Sequence, residues 1–289
     1  MRVIESNDLC KNYGESIGIK NINLQIEQGE IFGFIGPNGA GKSTYIRTLL
    51  GFLIPTSGSA SLLGQSIHEN LHDIREKIGY LPSEVNYYEE MSSRELLEYH
   101  AGFHSNVDLS KIDTLGAHFE LELDRKIEEL SFGNKKKCAI IQAVLHEPDL
   151  LILDEPTSGL DPLMQNRFFE LLENENKKGT SIFFSSHILA EIQRLCNRAA
   201  IIRKGEISAV EDIQSLLEKQ MKKARLVFKE KTELTFIDGI QHPVWINNKL
   251  TFEYVGPVSA LIQWMSELEL IDAVLEEPDL ESIFMNYYQ

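Results

Sequence analysis

The chain has 289 residues, 43% of them hydrophobic and 25% charged, which is the make-up of a globular protein of one large or two modest domains with a sizeable core. Its 28 Lys and Arg face 44 Asp and Glu, and the formal charge of −16 has the wrong sign for a protein that neutralises nucleic-acid phosphates. The first residues carry no secretory pattern and no apolar run reaches the length of about 18 that spans a bilayer, so a soluble, intracellular chain is expected.

In chain order, residues 1–35 hold short alternating runs such as Ile22-Asn23-Leu24-Gln25-Ile26, punctuated at Tyr13-Gly14 and Gln28-Gly29. That pattern predicts an antiparallel sheet. Glu30 to Ile35 reads as an apolar strand entering a Gly-rich turn, and Ser43 to Leu50 as a helix ended by Gly51 and Pro55. Residues 84–148 show mainly helical periodicity, as in Leu96, Leu97 and Tyr99 or Ile140, Ile141, Val144 and Leu145, and are taken as a helical insertion.

From 150 onward nearly continuous apolar strands, Leu150 to Leu153 and Ser181 to Phe184, flank a helix that carries Phe168, Leu171 and Leu172 and is closed by Lys177, Lys178 and Gly179. Strands without polar alternation are covered on both faces, which predicts an α/β core with a largely parallel sheet. After Leu217 a basic stretch, Lys219 to Lys231, introduces a smaller region. It has β-like runs at Leu226 to Phe228 and Leu250 to Tyr254, a helix at 258–268, an acidic run at 267–281 and a last helix with Asp279 as N-cap. Cys10, Cys138 and Cys196 form no C-x-x-C pair, so they predict buried small hydrophobes and no disulfide framework.

Gly36-Pro37-Asn38-Gly39-Ala40-Gly41-Lys42-Ser43 fits G-x-x-x-x-G-K-[ST] between a predicted strand and a predicted helix, with Thr44 following. Glycines let the loop backbone point its N–H groups at phosphate oxygens, the helix start adds positive potential, Lys42 reaches the β/γ-phosphates and Ser43 can ligate Mg²⁺. The bland reading is a Gly-rich strand-to-helix turn. Leu150 to Leu153 delivers Asp154 and Glu155 to the carboxyl edge of a parallel sheet, where α/β proteins bind ligands. There Asp154 can hold Mg²⁺ and Glu155 can orient and deprotonate an attacking water. Alone, that pair would be a strand reaching solvent; beside a phosphate loop the functional reading is the stronger.

With Leu130-Ser131-Phe132-Gly133-Asn134 added, residues 1–217 resemble the ATPase subunits of ATP-binding cassette (ABC) transporters. The resemblance rests on Tyr13, the phosphate loop, the 130–134 signature, Leu150 to Glu155, Ser158-Gly159-Leu160-Asp161 and His187, in that order. It implies an α/β P-loop NTPase core with an N-terminal antiparallel β subdomain and a helical signature subdomain (about 84–148), followed by a small C-terminal α+β domain at 218–289. It also implies a head-to-tail dimer, expected to be of two copies of this chain, with each ATP between the phosphate loop of one cassette and Ser131 and Gly133 of the other. Tyr13 would stack on adenine, His187 would contact the γ-phosphate and Asp161 would join the two sites. Their plainer readings are a turn tyrosine and, for both Ser131 and Asp161, an N-cap. The other histidines read as surface or core residues.

The family pattern is broken in three places. Phe132 stands where Gly is usual, Asn134 where Gln is usual, and Ser83 where most members have a Gln that touches Mg²⁺; Ser83 or Glu84 could supply that oxygen. Lys135, Lys136 and Lys137 read either as a solvated helix face or as a source of positive potential near ATP. Lacking a membrane span, such a cassette would sit on the cytoplasmic face of the membrane and drive a separate integral-membrane permease. That partner would dock near residues 85–100, where Tyr87, Tyr88, Met91 and Leu96 offer either an apolar surface or core. The C-terminal stretch looks like that of bacterial drug, antibiotic or peptide exporters. The rival reading is a soluble cassette ATPase acting on ribosomes or DNA, which the acidic charge disfavours, so no nucleic-acid partner is expected.

Overall fold

A computed structural model describes residues 1–68, 74–213, 215, 222–230, 232 and 234–276. The expected Asp279-capped helix, the rest of the tail after 276, and Lys219 and Lys231 of the basic stretch lie outside the described residues. The chain divides into two compact units, Met1–Glu211 and Asp212–Gln289.

In the first unit, strands β1 (Arg2–Tyr13) and β2 (Ser16–Glu27) pair antiparallel across the Gly14 turn, as their alternation predicts. They are extended by β4 (Ser57–Leu62) and β5 (Gln65–Ser66) into a sheet of order β2-β1-β4-β5. A second sheet has the order β10-β9-β3-β8-β7-β6, comprising β3 (Ile31–Ile35), β6 (Ile78–Leu81), β7 (Leu150–Asp154), β8 (Ser181–Ser186), β9 (Arg198–Arg203) and β10 (Glu206–Asp212). From β9 to β6 every neighbouring pair is parallel. Every residue of β3, β7 and β8 is buried, which is why these strands read as nearly continuous apolar runs, with small serines at the ends of β8. Phe34 packs against Tyr45 and Phe183, with ring centroids 5.1 and 5.3 Å away, and ties helix α1 (Lys42–Leu49) to the sheet.

The helical region comprises α2 (Ser93–Ala101), α3 (Ser110–His118) and α4 (Phe132–Val144). Helix α2 begins with a capping box, in which Ser92 accepts from the Glu95 N–H while Glu95 accepts from the Ser92 N–H. Beyond them lie α5 (Pro162–Lys177) and α6 (Leu189–Leu195).

The second unit is an antiparallel sheet of order β12-β13-β11-β14, made of β11 (Lys222–Phe228), β12 (Ile240–Ile246), β13 (Lys249–Tyr254) and β14 (Leu270–Glu276). Helix α7 (Val258–Ser266) supplies Leu261 and Trp264 to a core with Leu226, Phe228, Leu250 and Phe252. The two central strands were legible from their alternation. The edge strands β12 and β14 were not, because they are exposed at most positions and one lies in the acidic run.

Candidate functional site

The loop after β3 folds back to start α1 and is forced to carry glycine. A Cβ on Gly36 would lie 2.4 Å from the Ile202 carbonyl oxygen, and one on Gly41 would lie 2.6 Å from that of Gly18. Gly41 also has φ +110° and caps α1 with no side-chain hydrogen bond, so the first N–H groups of that helix have no side-chain acceptor at the cap. Lys42 is buried, and its ammonium donates to the carbonyls of Gly36 (2.6 Å) and Pro37 (3.3 Å). Thr44 lies beside Tyr13 against Gly18, where a Cβ would come within 2.9 Å of both side chains. Tyr13 is half exposed.

Strand β7 brings Asp154 and Glu155 to the same edge. Asp154 is fully buried; its Oδ1 accepts from the Ser185 hydroxyl at 2.8 Å and its Oδ2 has no protein partner. A buried carboxylate oxygen left unpaired is costly. It is a hard oxygen donor of the kind that Mg²⁺ takes, and Ser43, the second residue of α1, carries another. Glu155 has φ +48°, a left-handed conformation strained for a non-glycine residue, and its N–H bonds Ser185. Its carboxylate is held at both oxygens. Oε1 lies 3.0 Å from the Lys42 ammonium and Oε2 lies 2.6 Å from Nδ1 of His187, which immediately follows β8. The carboxylate therefore has a fixed orientation in a cleft of about 670 Å³ whose walls include Asn38, Ser83, Glu84, Lys135, Ser158 and His187. An oriented carboxylate, a cation and an imidazole beside the uncapped start of α1 can position and deprotonate a water attacking a phosphoryl group.

The other expected residues split into two groups. Ser131 caps α4, its Oγ accepting from the Asn134 N–H at 3.3 Å, and Asp161 caps α5 by accepting from Leu163 and Met164, both at 3.0 Å. Both thus adopt their plainer reading within this chain. Gly133 is required by close approach, since a Cβ there would stand 2.8 Å from the Gly159 carbonyl oxygen, and the Phe132 ring covers Gly159 while remaining half exposed. Ser83 lines the cleft, and its carbonyl is fixed by Lys136, which donates to the oxygens of Pro82 (2.9 Å) and Ser83 (3.2 Å). Lys136 is fully buried, so the solvated-face reading fails for it. Burial pushes its pKa down to about 8, against the opposing pull of Asp154 and Glu155.

Of the proposed apolar docking residues, Leu96 belongs to the core and Tyr87 is tied to Gln142 at 2.9 Å, whereas Tyr88 is exposed. Tyr88 continues into an exposed row with Tyr99 and Phe103, packed edge to face at 6.4 and 5.0 Å. Sequence reasoning also missed Glu191. Its buried carboxylate accepts from Thr157 and Ser186, each at 2.6 Å, and so pins the segments that carry Glu155 and His187. The signal for it was a lone acid on the apolar side of a short helix.

The model of the family described as "ABC transporter" matches residues 19–158. The bacitracin transport ATP-binding protein BcrA of Bacillus licheniformis is 37% identical over 210 residues, which cover 71% of this chain and 68% of the relative. The chain belongs to the ABC transporter family. A solved ATP-binding subunit of an ABC transporter superposes with TM-score 0.69 at 31% identity, covering 74% of this chain and 91% of that one. The dimeric bacterial ABC transporter cassette MJ0796 superposes with TM-score 0.67 at 25% identity, covering 73% and 98%. As a member of this family the chain is an ATP-binding, ATP-hydrolysing subunit with an ABC ATPase fold. Among the described residues no helix is long and apolar enough to cross a membrane.

Proposed function

We propose that the chain is the ATPase subunit of an ABC exporter for drugs, antibiotics or peptides, and that it drives a separate integral-membrane permease from the cytoplasmic face. The observation that carries the catalytic part is Glu155, held at one oxygen by Lys42 and at the other by His187 at the mouth of the phosphate loop. In this reading residues 1–217 form the ATP-binding domain and 218–289 an accessory domain. The loop from Gly36 to Thr44 cradles the phosphates through N–H groups other than those of Gly36 and Ala40, which bond the carbonyls of Ser186 and Pro37; Lys42 leaves its loop carbonyls for the β/γ-phosphates, and Tyr13 stacks on adenine. Glu155 orients and deprotonates the attacking water while His187 contacts the γ-phosphate. Asp154 and Ser43, with Ser83, would hold Mg²⁺, which when bound neutralises charge on the β- and γ-phosphates.

Ser131 and Gly133 serve the ATP of a second cassette in a head-to-tail homodimer, with Asp161 joining the two sites; the dimeric state of the related cassette supports this arrangement. The aromatic row Tyr88, Tyr99 and Phe103 is an exposed apolar surface suited to a permease helix. The cargo class is supported by a relative named for bacitracin transport.

The test is to purify the tagged protein from gently solubilised membranes of its own host and to measure ATPase activity on the same sample. A multi-span protein present in stoichiometric amount with Mg²⁺-dependent turnover is the expected result. Ribosomal or DNA-bound material without a membrane protein would overturn the transporter reading in favour of a soluble cassette ATPase.

A further inference from the structure

Three histidines that sequence reading assigned to surface or core converge away from the ATP site. His100 lies in α2, His104 three residues beyond its end, and His146 just past α4. One ring nitrogen from each lies within 4.8 Å of one from each of the others. The rings border a cleft of about 450 Å³ beside the edge strand β6. Each ring also leaves one buried nitrogen without any hydrogen-bond partner: Nε2 of His100, Nδ1 of His104 and Nδ1 of His146. Three unpaired buried nitrogens at one spot call for a common partner.

We propose that His100, His104 and His146 form a binding site for a divalent transition-metal ion, Zn²⁺ in the first instance. The outer hydrogen bond of His146 already has the form such a site needs, in which an imidazole donates its other N–H to a fixed acceptor. Nε2 of His146 is 3.2 Å from the Ile78 carbonyl, and His104 shares the wall of the cleft with Glu76. A proton on Nε2 of His146 leaves the lone pair of Nδ1 free. His100 is 3.1 Å from Nε2 of Gln142, whose Oε1 accepts from the Tyr87 hydroxyl. Turning that amide over lets Oε1 accept from Nδ1–H of His100 while Nε2 donates to Tyr87, and it frees Nε2 of His100 for metal. Burial also keeps His100 and His146 neutral, both with pKa pushed down to about 4.

Tetrahedral Zn–N bonds of about 2.0–2.1 Å place ligand nitrogens about 3.4 Å apart, so shifts of roughly 1 Å per ring close the site. A side chain of α2, one just after it and one just after α4 would then be clamped at β6, the strand that leads to Ser83.

The test uses the full chain without an oligohistidine tag, stripped of metal, titrated with ZnCl₂ in excess Mg²⁺ and followed by calorimetry. The expected result is one ion per chain with micromolar or tighter affinity. His104→Gln and His146→Phe should each weaken it at least about 100-fold and Gln142→Ala about 10-fold or more. Asp154→Asn should leave it intact. Zn²⁺ should also raise the unfolding temperature of the parent chain but not of the histidine variants, and Co²⁺ should give visible absorption in the parent alone. The absence of a one-to-one site in the parent, or a site that survives both histidine changes or is lost in Asp154→Asn, overturns the proposal.

Discussion

Two helix starts of this chain carry glycine, α1 at its cap, Gly41, and α4 in its first turn, Gly133, and they begin in opposite ways. Helix α1 starts at Gly41, with φ +110° and no side-chain cap, and its loop carries the charge of Lys42 inside itself. Helix α4 starts at Ser131, whose hydroxyl closes the cap on Asn134. An uncapped start offers its N–H groups to a ligand, whereas a side-chain cap has spent one of them within the protein. Phosphate-binding capacity is therefore built into α1 by the backbone alone, while at α4 a phosphate would have to compete with Ser131 for the same N–H. In the proposed dimer the first site is intrinsic to one chain and the second is conditional on a partner.

Breaking the intrinsic site should have the largest effect. Lys42→Ala removes the cation that bonds Gly36 and Pro37 and pairs with Glu155, so we expect ATP affinity to fall by about 100-fold or more and turnover to reach background, as measured by nucleotide titration and phosphate release. Glu155→Gln keeps the shape of the site and removes the base. Turnover should drop by about 10²–10⁴-fold with ATP binding retained, and the ATP-bound variant should accumulate as a dimer in size-exclusion chromatography. Parental turnover in Glu155→Gln would show that the base lies elsewhere.

The same contrast explains what the sequence made legible. The phosphate loop and the Asp154 and Glu155 pair could be placed because each stands at the end of a strand of nearly continuous apolar residues, whereas the role of His187, which follows a strand ending in two serines, came from resemblance. The caps at Ser131 and Asp161 were also legible, but only as caps; their shared role across a dimer came from resemblance. Glu191, Lys136 and the three histidines were illegible because each is a polar residue within or beside an otherwise ordinary helix. Their meaning comes from partners at distant positions: Thr157 and Ser186 for Glu191, Pro82 and Ser83 for Lys136. The segment 85–100 was read as either an apolar surface or core, and the structure divides it, with Leu96 in the core and Tyr88 exposed.

A smaller effect sharpens the comparison from the side of α4, whose second turn carries Lys136. Its pKa of about 8 lies below the ordinary lysine value of 10.5, so between these two values the unfolded chain binds more protons and stability rises with pH. The contribution is present above about 10.5 and is lost as pH falls through about 8. In Lys136→Met that slope should vanish, which paired denaturant titrations across pH 7.5 to 10.5 would reveal as converging or crossing stability curves. Parallel curves would mean that the ammonium is not the group that titrates.

The smallest expected effect tests the conditional site most directly. Ser131→Ala removes the cap on Asn134 and should cost about 1 kcal/mol of stability, read as a shifted urea midpoint at unchanged slope. If Ser131 is only a cap, ATP turnover at a temperature well below unfolding should be untouched. If it also serves a phosphate across the dimer, turnover should fall while ATP binding by the separated chain stays at the parental value, because that binding belongs to α1. Ser131→Asp makes the two roles diverge further. Asp caps as well as Ser and should restore the urea midpoint, yet a carboxylate facing a γ-phosphate is repelled by it, so turnover should fall below that of Ser131→Ala. Restoration of both stability and turnover by Asp would reduce Ser131 to its cap and leave Gly133 and the helix backbone as the signature's phosphate contacts.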